Sequence, residues 1–428
     1  MHKTKNEIPA YGKENNKENN KENGRENSTE NSKENSRENG KALTPEVYAR
    51  KWRFYDGIFR FLLRLILGYR CEKVPKQDGP VFYLYNHTTD IDFTMLVAAA
   101  ENPAYFVVTD SFVRGGKLAE RLSERYSFIL HDKGGSGITT AREILERIRD
   151  GYSVAMAPEG NRSFDGVTCP IPDSVAKLVR KSGATLVTFR FTGGYFTSPR
   201  WSRGFRRGRI MGKPMGIYTP EGLKEMKPKE LADRIREDLW VDAMTDEKKR
   251  PIPYRSRHRA EYLESLLYLC PKCRTFDSLY SGGSRIRCEC GYSMEYSEYG
   301  YLTDKRGRRC SIAVLAAGQK RELGRLLRAE KKGSDMALFL NQLTEHIVDP
   351  EGKIVGRREV VLSASADGLT AGDRTYRWDE VSDVSIVQRN LLIIHIRDRE
   401  EHFEYRGSKR FNALKYRDSF LCRNQNGF

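Results

Sequence analysis

Long apolar runs are what this chain of 428 residues has least of. Around its first apolar segment no uncharged stretch approaches the roughly 20 residues needed to span a bilayer, so a membrane-crossing anchor is not expected. The first 40 residues are strongly polar, and no signal peptide is expected there. Cysteine is sparse as well. Of eight, four are scattered (Cys71, Cys169, Cys310, Cys422) and four fall in two close pairs. That usage excludes a disulfide framework and suits a reducing compartment. A Gly-x-Ser-x-Gly segment is missing too, which removes the usual signature of a serine nucleophile.

Residues 13–41 have no apolar side chain and repeat Lys/Arg-Glu-Asn, as in Lys13-Glu-Asn-Asn and Lys33-Glu-Asn-Ser. With nothing to bury, residues 1–43 are predicted to be a disordered low-complexity tail. The length of the chain implies two or three further domains. The net charge of +17 asks for an anionic partner: nucleic acid, a membrane surface or a phosphorylated substrate. Because Lys and Glu nearly balance within the tail, the excess lies in the folded part.

The character changes at Thr44-Pro45-Glu46, a helix start with Thr as cap and Pro in first position. At 100° per residue, Arg50, Arg53, Arg60 and Arg64 share one arc beside Asp56. Trp52, Phe54, Phe61 and a series of Leu and Ile occupy the rest. Residues 44–70 therefore read as an amphipathic helix at a membrane interface. Residues 71–250 then alternate strand-like and helix-like segments, which predicts an α/β domain with a largely parallel sheet. Expected strands are 81–85, 104–109, 127–131, 153–157, 185–191 and 208–212. Expected helices are 92–100, 116–124, 138–150, 172–182 and 227–244.

Two strand ends carry the chemistry. In Tyr83-Leu84-Tyr85-Asn86-His87-Thr88-Thr89-Asp90-Ile91-Asp92, an apolar strand stops at a polar cluster and a helix follows. His87 can meet Asp92 across the first helical turn; the carboxylate fixes the tautomer and leaves the other ring nitrogen a better base. Downstream, the strand Val154–Ala157 ends in Pro158-Glu159-Gly160-Asn161-Arg162-Ser163. Parallel strands present such ends on one edge, where ligands bind. Glu159 and Arg162 are therefore expected to face the crevice that holds His87.

Together the two segments resemble the glycerophospholipid acyltransferases, in particular the 1-acylglycerol-3-phosphate acyltransferase family. That family carries Asn-His, four residues and Asp (the HX4D motif), then Glu-Gly-Thr-Arg-Ser. This chain matches the first motif fully and the second with Asn161 in place of Thr. The resemblance covers roughly residues 44–245. Where the family has Asp-Arg in its second block, Asp132-Lys133 stands here, and the fourth block lacks its Pro in Leu186–Phe191.

The resemblance implies acyl transfer from acyl-CoA or acyl-carrier protein to the free hydroxyl of a lysophospholipid, with no catalytic cofactor. His87 would be the general base and Asp92 would orient it. Arg162, with Lys133, would bind the acceptor's phosphate, and Asn161 belongs to the same substrate-binding turn. Gly160 would admit a close backbone approach, and Glu159 would hold Arg162 or an acceptor hydroxyl. Amides at the start of the helix after His87 are the expected oxyanion donors. The implied place is the cytoplasmic face of a membrane, with a peripheral or monotopic attachment. Two alternatives stay open: another acceptor, such as glycerol-3-phosphate or another lysolipid, and a non-enzymatic protein that binds membrane or nucleic acid.

Beyond a linker at Pro251-Ile-Pro253, Cys270-Pro-Lys-Cys273 and Cys288-Glu-Cys290-Gly291 read as a structural zinc ribbon over 255–300. Four thiolates leave no open position, so the metal would serve structure. The ribbon offers only Arg285 and Arg287 amid Ser and Gly, and nucleic acid is not an expected partner. The segment 193–209, with Tyr195, Arg200, Trp201, Arg203, Arg206, Arg207 and Arg209, reads as a basic aromatic loop, either for headgroups or a phosphopantetheine arm or simply solvated. Residues 311–428 read as a small β-rich module with a C-terminal helix, similar to a pleckstrin-homology-like module.

Overall fold

The computed structural model describes residues 52, 57–58, 60–109, 128–131, 137–245, 251–329, 337–350 and 352–424. The polar tail, Arg50, Arg53, the helix expected over 116–124 and the pair Asp132-Lys133 lie outside the described residues. Helix α1 (residues 60–67) turns Leu63 and Leu67 inward, four apart on one face, and leaves Phe61, Leu62, Leu65 and Ile66 exposed. Trp52 anchors the same region: its indole donates to the carbonyl of Ala100 at 3.1 Å and stacks on Phe106.

The first sheet has seven strands. They are β1 (Arg70–Cys71), β2 (Val81–Tyr85), β3 (Ala104–Thr109), β4 (Phe128–His131), β5 (Ser153–Met156), β6 (Thr185–Thr192) and β7 (Met211–Tyr218), ordered β1-β7-β6-β2-β5-β3-β4. Every pair is parallel except β6 with β7. All five residues of β2 are buried, as a central strand covered on both faces demands. Around it run α2 (Asp92–Val97), α3 (Ile138–Arg149), α4 (Ser174–Ser182), the short α5 (Gly194–Thr197), α6 (Pro220–Glu225) and α7 (Pro228–Leu239). In α3 the buried Thr140, Ile144 and Ile148 fall four apart and form one inward stripe.

The largest departure from the expected strands is β7, which starts three residues later than expected and runs through Pro214 to Tyr218. The register slips between Thr188 and Phe189, opposite Pro214. A proline that cannot donate to the ladder is tolerated at such an irregularity, and it hides the strand from a pattern search.

The ribbon is a five-stranded antiparallel meander: β8 (Leu279–Gly282), β9 (Arg285–Cys288), β10 (Ser293–Tyr296), β11 (Tyr301–Thr303) and β12 (Arg309–Ser311). Its sheet thus runs past residue 300. Helix α8 (Ile312–Ala329) leads to a second seven-stranded sheet, antiparallel throughout. Its strands are β13 (Phe339–Val348), β14 (Ile354–Ala364), β15 (Gly368–Ala371), β16 (Arg374–Arg377), β17 (Val381–Val387), β18 (Leu391–Ile396) and β19 (His402–Arg406). Helix α9 (Leu414–Asn424) follows.

One apolar core joins these parts. It runs from Phe164 and Trp201 through Leu263–Leu269 of the ribbon to Leu362, Phe403 and Tyr416. Pro251–Pro253 leads directly into this joint. Tyr254 is buried, its amide donates to the carbonyl of Glu298 at 2.8 Å, and its hydroxyl donates to Arg209 at 3.1 Å.

Candidate active site

Strand β2 ends under a clamp. The side chain of Asn86 accepts from the amide of Phe191 at 2.6 Å and donates to its carbonyl at 2.9 Å, tying β2 to β6. The loop that leaves this point folds around Asp92. The Asp92 carboxylate accepts from the amides of Thr88 at 2.6 Å and Thr89 at 2.9 Å. It also accepts from the hydroxyls of Thr88 at 3.0 Å and Thr89 at 2.7 Å. Its Oδ2 lies 2.9 Å from His87 Nδ1. So many donors hold the carboxylate in one place. With Nδ1–H donating to it, Nε2 is the basic nitrogen of the ring. The Asp92 side chain is 1% exposed and that of His87 30%, so the buried acid backs an accessible base.

Three amides between His87 and α2 are employed inside the loop. Those of Thr88 and Thr89 serve Asp92, and that of Ile91 donates to the Thr89 hydroxyl at 3.2 Å.

Leu84 and Met156 are partners in the β2–β5 register, and three residues beyond each come His87 and Glu159. The Glu159 carboxylate accepts from the amides of His87 and Cys169, each at 2.7 Å. Both oxygens are thus engaged in fastening two loops together, and Arg162 pairs instead with Asp90 and Ser198. Burial pushes the Glu159 carboxyl up to about 8 against the two amide bonds, which oppose the shift. Burial, with Glu159 next, also pushes the Cys169 thiol up to about 12. Gly160 sits at φ +63° with open space where a Cβ would be, so left-handed backbone, more than close approach, requires a glycine there.

Arg162 is 6% exposed. Its guanidinium donates to the carbonyl of Ser198 at 2.7 Å and pairs with Asp90 at 2.5 Å, which brings the two motif loops together. Asp90 itself projects outward, with its side chain 74% exposed. The Asn161 amide oxygen is buried with no hydrogen-bond partner. Lys133 lies outside the described residues. A cavity of about 20 Å³ between Asn86, His87, Glu159, Ser163 and Tyr195 has room for one water-sized molecule. A wider cleft of about 420 Å³ lies on the ribbon, but Glu295 already pairs there with Arg259 and Arg285.

Segment 193–209 is divided: Arg203, Phe205, Arg207 and Arg209 are exposed, while its other arginines and Trp201 are interior. Trp201 is fully buried, and Arg206 and Arg200 are 2% and 9% exposed, packed under the ribbon and the C-terminal sheet. Arg206 donates to the carbonyl of Arg259 at 2.6 Å and faces the rings of Trp201 and Tyr296. Cys270, Cys273, Cys288 and Cys290 converge, their sulfurs all within 4.8 Å of one another. Cys270–Cys290 and Cys273–Cys288 are each separated by 3.7 Å. A tetrahedral ion bound at roughly 2.3 Å to sulfur sets its ligands about 3.8 Å apart, so the four residues fit one metal.

Thr88, Thr89, Asp90 and Ser198 were not expected as working parts, and Arg200 only as part of the basic aromatic loop. The first three lie inside the Asn86–Asp92 motif, where two Thr beside an Asp signal a capped loop. Ser198 carries no local signal.

Residues 68–192 match the protein-family model described as Acyltransferase. The chloroplastic 1-acyl-sn-glycerol-3-phosphate acyltransferase of Brassica napus is 24% identical over 143 residues, 31% of this chain and 39% of that protein. The chain thus spans about two fifths of the curated relative. Among solved structures, the 1-acyl-sn-glycerophosphate acyltransferase of Thermotoga maritima aligns with a TM-score of 0.38 at 18% identity. That alignment covers 48% of this chain and 80% of the other.

Proposed function

Over residues 68–192 the chain belongs to the acyltransferase family, and from that premise we propose that it moves a fatty acyl group from acyl-CoA or acyl-carrier protein to the free hydroxyl of 1-acylglycerol-3-phosphate. The observation that carries the reading is the His87–Asp92 pair: Nδ1 lies 2.9 Å from a buried carboxylate at the ligand-binding edge of a largely parallel sheet.

Nε2 of His87 takes the proton of the acceptor hydroxyl as that oxygen attacks the thioester carbonyl. Asp92 stabilises the imidazolium that forms. As the tetrahedral intermediate collapses, the carbon–sulfur bond breaks, and His87 returns the proton to the leaving thiolate. The acyl group passes directly from sulfur to the acceptor oxygen, without a covalent enzyme intermediate. The acceptor's phosphate binds Arg162 by displacing the exposed Asp90 carboxylate, one anion replacing another on the same guanidinium. Lys133 joins it in this proposal.

No helix among the described residues is long and apolar enough to cross a membrane. Helix α1 instead offers Phe61, Leu62, Leu65 and Ile66, exposed beside Arg60 and Arg64, as the contact with an anionic lipid surface. Cys270, Cys273, Cys288 and Cys290 would hold one structural zinc ion, all four positions filled by protein.

The test is thiol release from acyl-CoA, or from acyl-carrier protein, when purified protein meets lysophosphatidate in liposomes. Glycerol-3-phosphate serves as the second acceptor, and His87→Ala runs alongside. Release should need both lysophosphatidate and His87, with His87→Ala losing roughly 10²- to 10⁴-fold. Full activity in folded His87→Ala, or no release from folded wild type with any donor and acceptor, would sink the proposal.

A further inference from the structure

We infer that Arg200 is a positioning residue for Arg162, and that through it the C-terminal sheet forms part of the acceptor site. This rests on the reading in which Arg162 receives the acceptor's phosphate. Arg200 lies in the segment after β6, and its planar guanidinium donates in three directions. It reaches the main-chain carbonyl of Arg162 at 2.9 Å, that of Ile386 at 2.5 Å and that of Gln388 at 2.6 Å. Its flat face lies 4.1 Å from the ring centre of Phe164, two residues beyond Arg162.

Ile386 is the next-to-last residue of β17 and Gln388 opens the turn to β18, in a different sheet. Gln388 adopts φ +53°, a left-handed kink in that turn. Beside it, Arg389 donates to the carbonyls of Trp201 and Ser202, each at 3.3 Å, and lies over the Tyr262 ring at 4.0 Å. The turn is therefore fastened to Arg200 and to the two residues that follow it.

A contact that merely docked two domains need not end on Arg162. This one does, and twice. The Arg162 guanidinium donates to Ser198 while the Arg162 carbonyl accepts from Arg200, so residues 198–200 hold that arginine by both ends. Because a guanidinium is a rigid fork, moving residues 386–388 must move the Arg162 carbonyl or break a hydrogen bond. Burial, followed by the nearby charges of Arg162 and Arg417, pulls the Arg200 pKa down, to about 9. Two like charges held in one buried place are relieved when an anion binds between them.

The experiment uses full-length protein with its metal retained, and compares Arg200→Gln and Arg200→Lys with wild type. Steady-state rates give KM for lysophosphatidate and for acyl-CoA separately. Arg200→Gln should raise the lysophosphatidate KM roughly tenfold, the size of one misplaced charge-assisted hydrogen bond, while kcat and the acyl-CoA KM stay within about twofold. Arg200→Lys should recover part of the loss. In an Arg162→Ala background, Arg200→Gln should add nothing to that KM, because it acts through the missing side chain.

Hydrogen exchange supplies a readout independent of turnover: amides 159–166 should exchange faster in Arg200→Gln, while those of β2 and the ribbon do not. An unchanged lysophosphatidate KM, full additivity with Arg162→Ala, or loosening spread evenly over the molecule would overturn the inference. If wild type transfers no acyl group, the functional reading fails instead, and exchange at 159–166 still decides the positioning. Should Arg200→Gln not fold, Arg200→Lys carries the same comparisons with a smaller shift.

Discussion

The two motif loops lie on one sheet edge yet are built in opposite ways. The loop after β2 is self-contained: Asp92 binds Thr88, Thr89 and His87, all within five residues of it. The loop after β5 is held from far away. Glu159 reaches His87 across 72 positions, Arg162 reaches Ser198 across 36, and Arg200 connects the loop to Gln388, a further 188 residues on. A self-contained loop can keep its geometry while the rest of the molecule flexes, which suits a base that must stay aligned. A loop braced by distant elements takes its position from them, so its binding affinity can follow what happens at the far end of the chain.

The sharpest way to break this contrast is Asp92→Asn. The Asn amide group would face Thr88 and Thr89 with hydrogens where they need an acceptor, and it would favour the wrong His87 tautomer. We expect kcat to fall by roughly 10²- to 10⁴-fold with a stability loss of about 1–3 kcal/mol, read by steady-state rates and urea unfolding. A variant with normal kcat would show that the loop does not depend on its carboxylate.

Glu159→Gln probes the brace between the loops through pH. The carboxyl has an ordinary value of 4.5, and in the fold burial raises it to about 8. Between those values the folded protein keeps a proton that the unfolded chain has released. This contribution to stability is therefore complete below about 4.5 and lost as pH rises to about 8. Glu159→Gln cannot titrate and should flatten that part of the curve of urea midpoint against pH. A slope equal to that of wild type would assign the pH dependence elsewhere.

The smallest effect is expected at Asp90, the one anion on Arg162 that solvent also reaches. Asp90→Asn removes a competitor for the phosphate and should lower the lysophosphatidate KM roughly two- to fivefold, in keeping with an exposed ion pair of at most about 1 kcal/mol. A raised KM would make Asp90 a support for Arg162 instead.

Much of the first sheet was legible beforehand. Strands at 81–85, 104–109 and 185–191 and the helix at 138–150 recur almost residue for residue, because each is a short buried run or a stripe with a clear period. Strand β7 was not, since Pro214 with Gly212 and Gly216 masks an irregular ladder. Segment 193–209 was legible only in part. Of its five arginines, Arg203, Arg207 and Arg209 are exposed, yet Arg200 and Arg206 are interior, where main-chain carbonyls and aromatic faces satisfy them. Composition alone cannot tell a solvated arginine from one buried on carbonyl oxygens.

What the sequence by itself determined were the features carried by neighbours along the chain. These are the His87–Asp92 pairing, the strand–loop–helix that presents it, the glycine turn at Gly160 and the cysteine pairs of the ribbon. Each depends on spacings of a few residues, which local backbone geometry converts directly into contacts. Only the tertiary structure decided what Glu159 binds, which oxygen holds Arg162, and that a turn near residue 388 braces the segment beside it. Those partners are chosen by how two sheets and a ribbon share one core, and sequence distance carries no record of that packing.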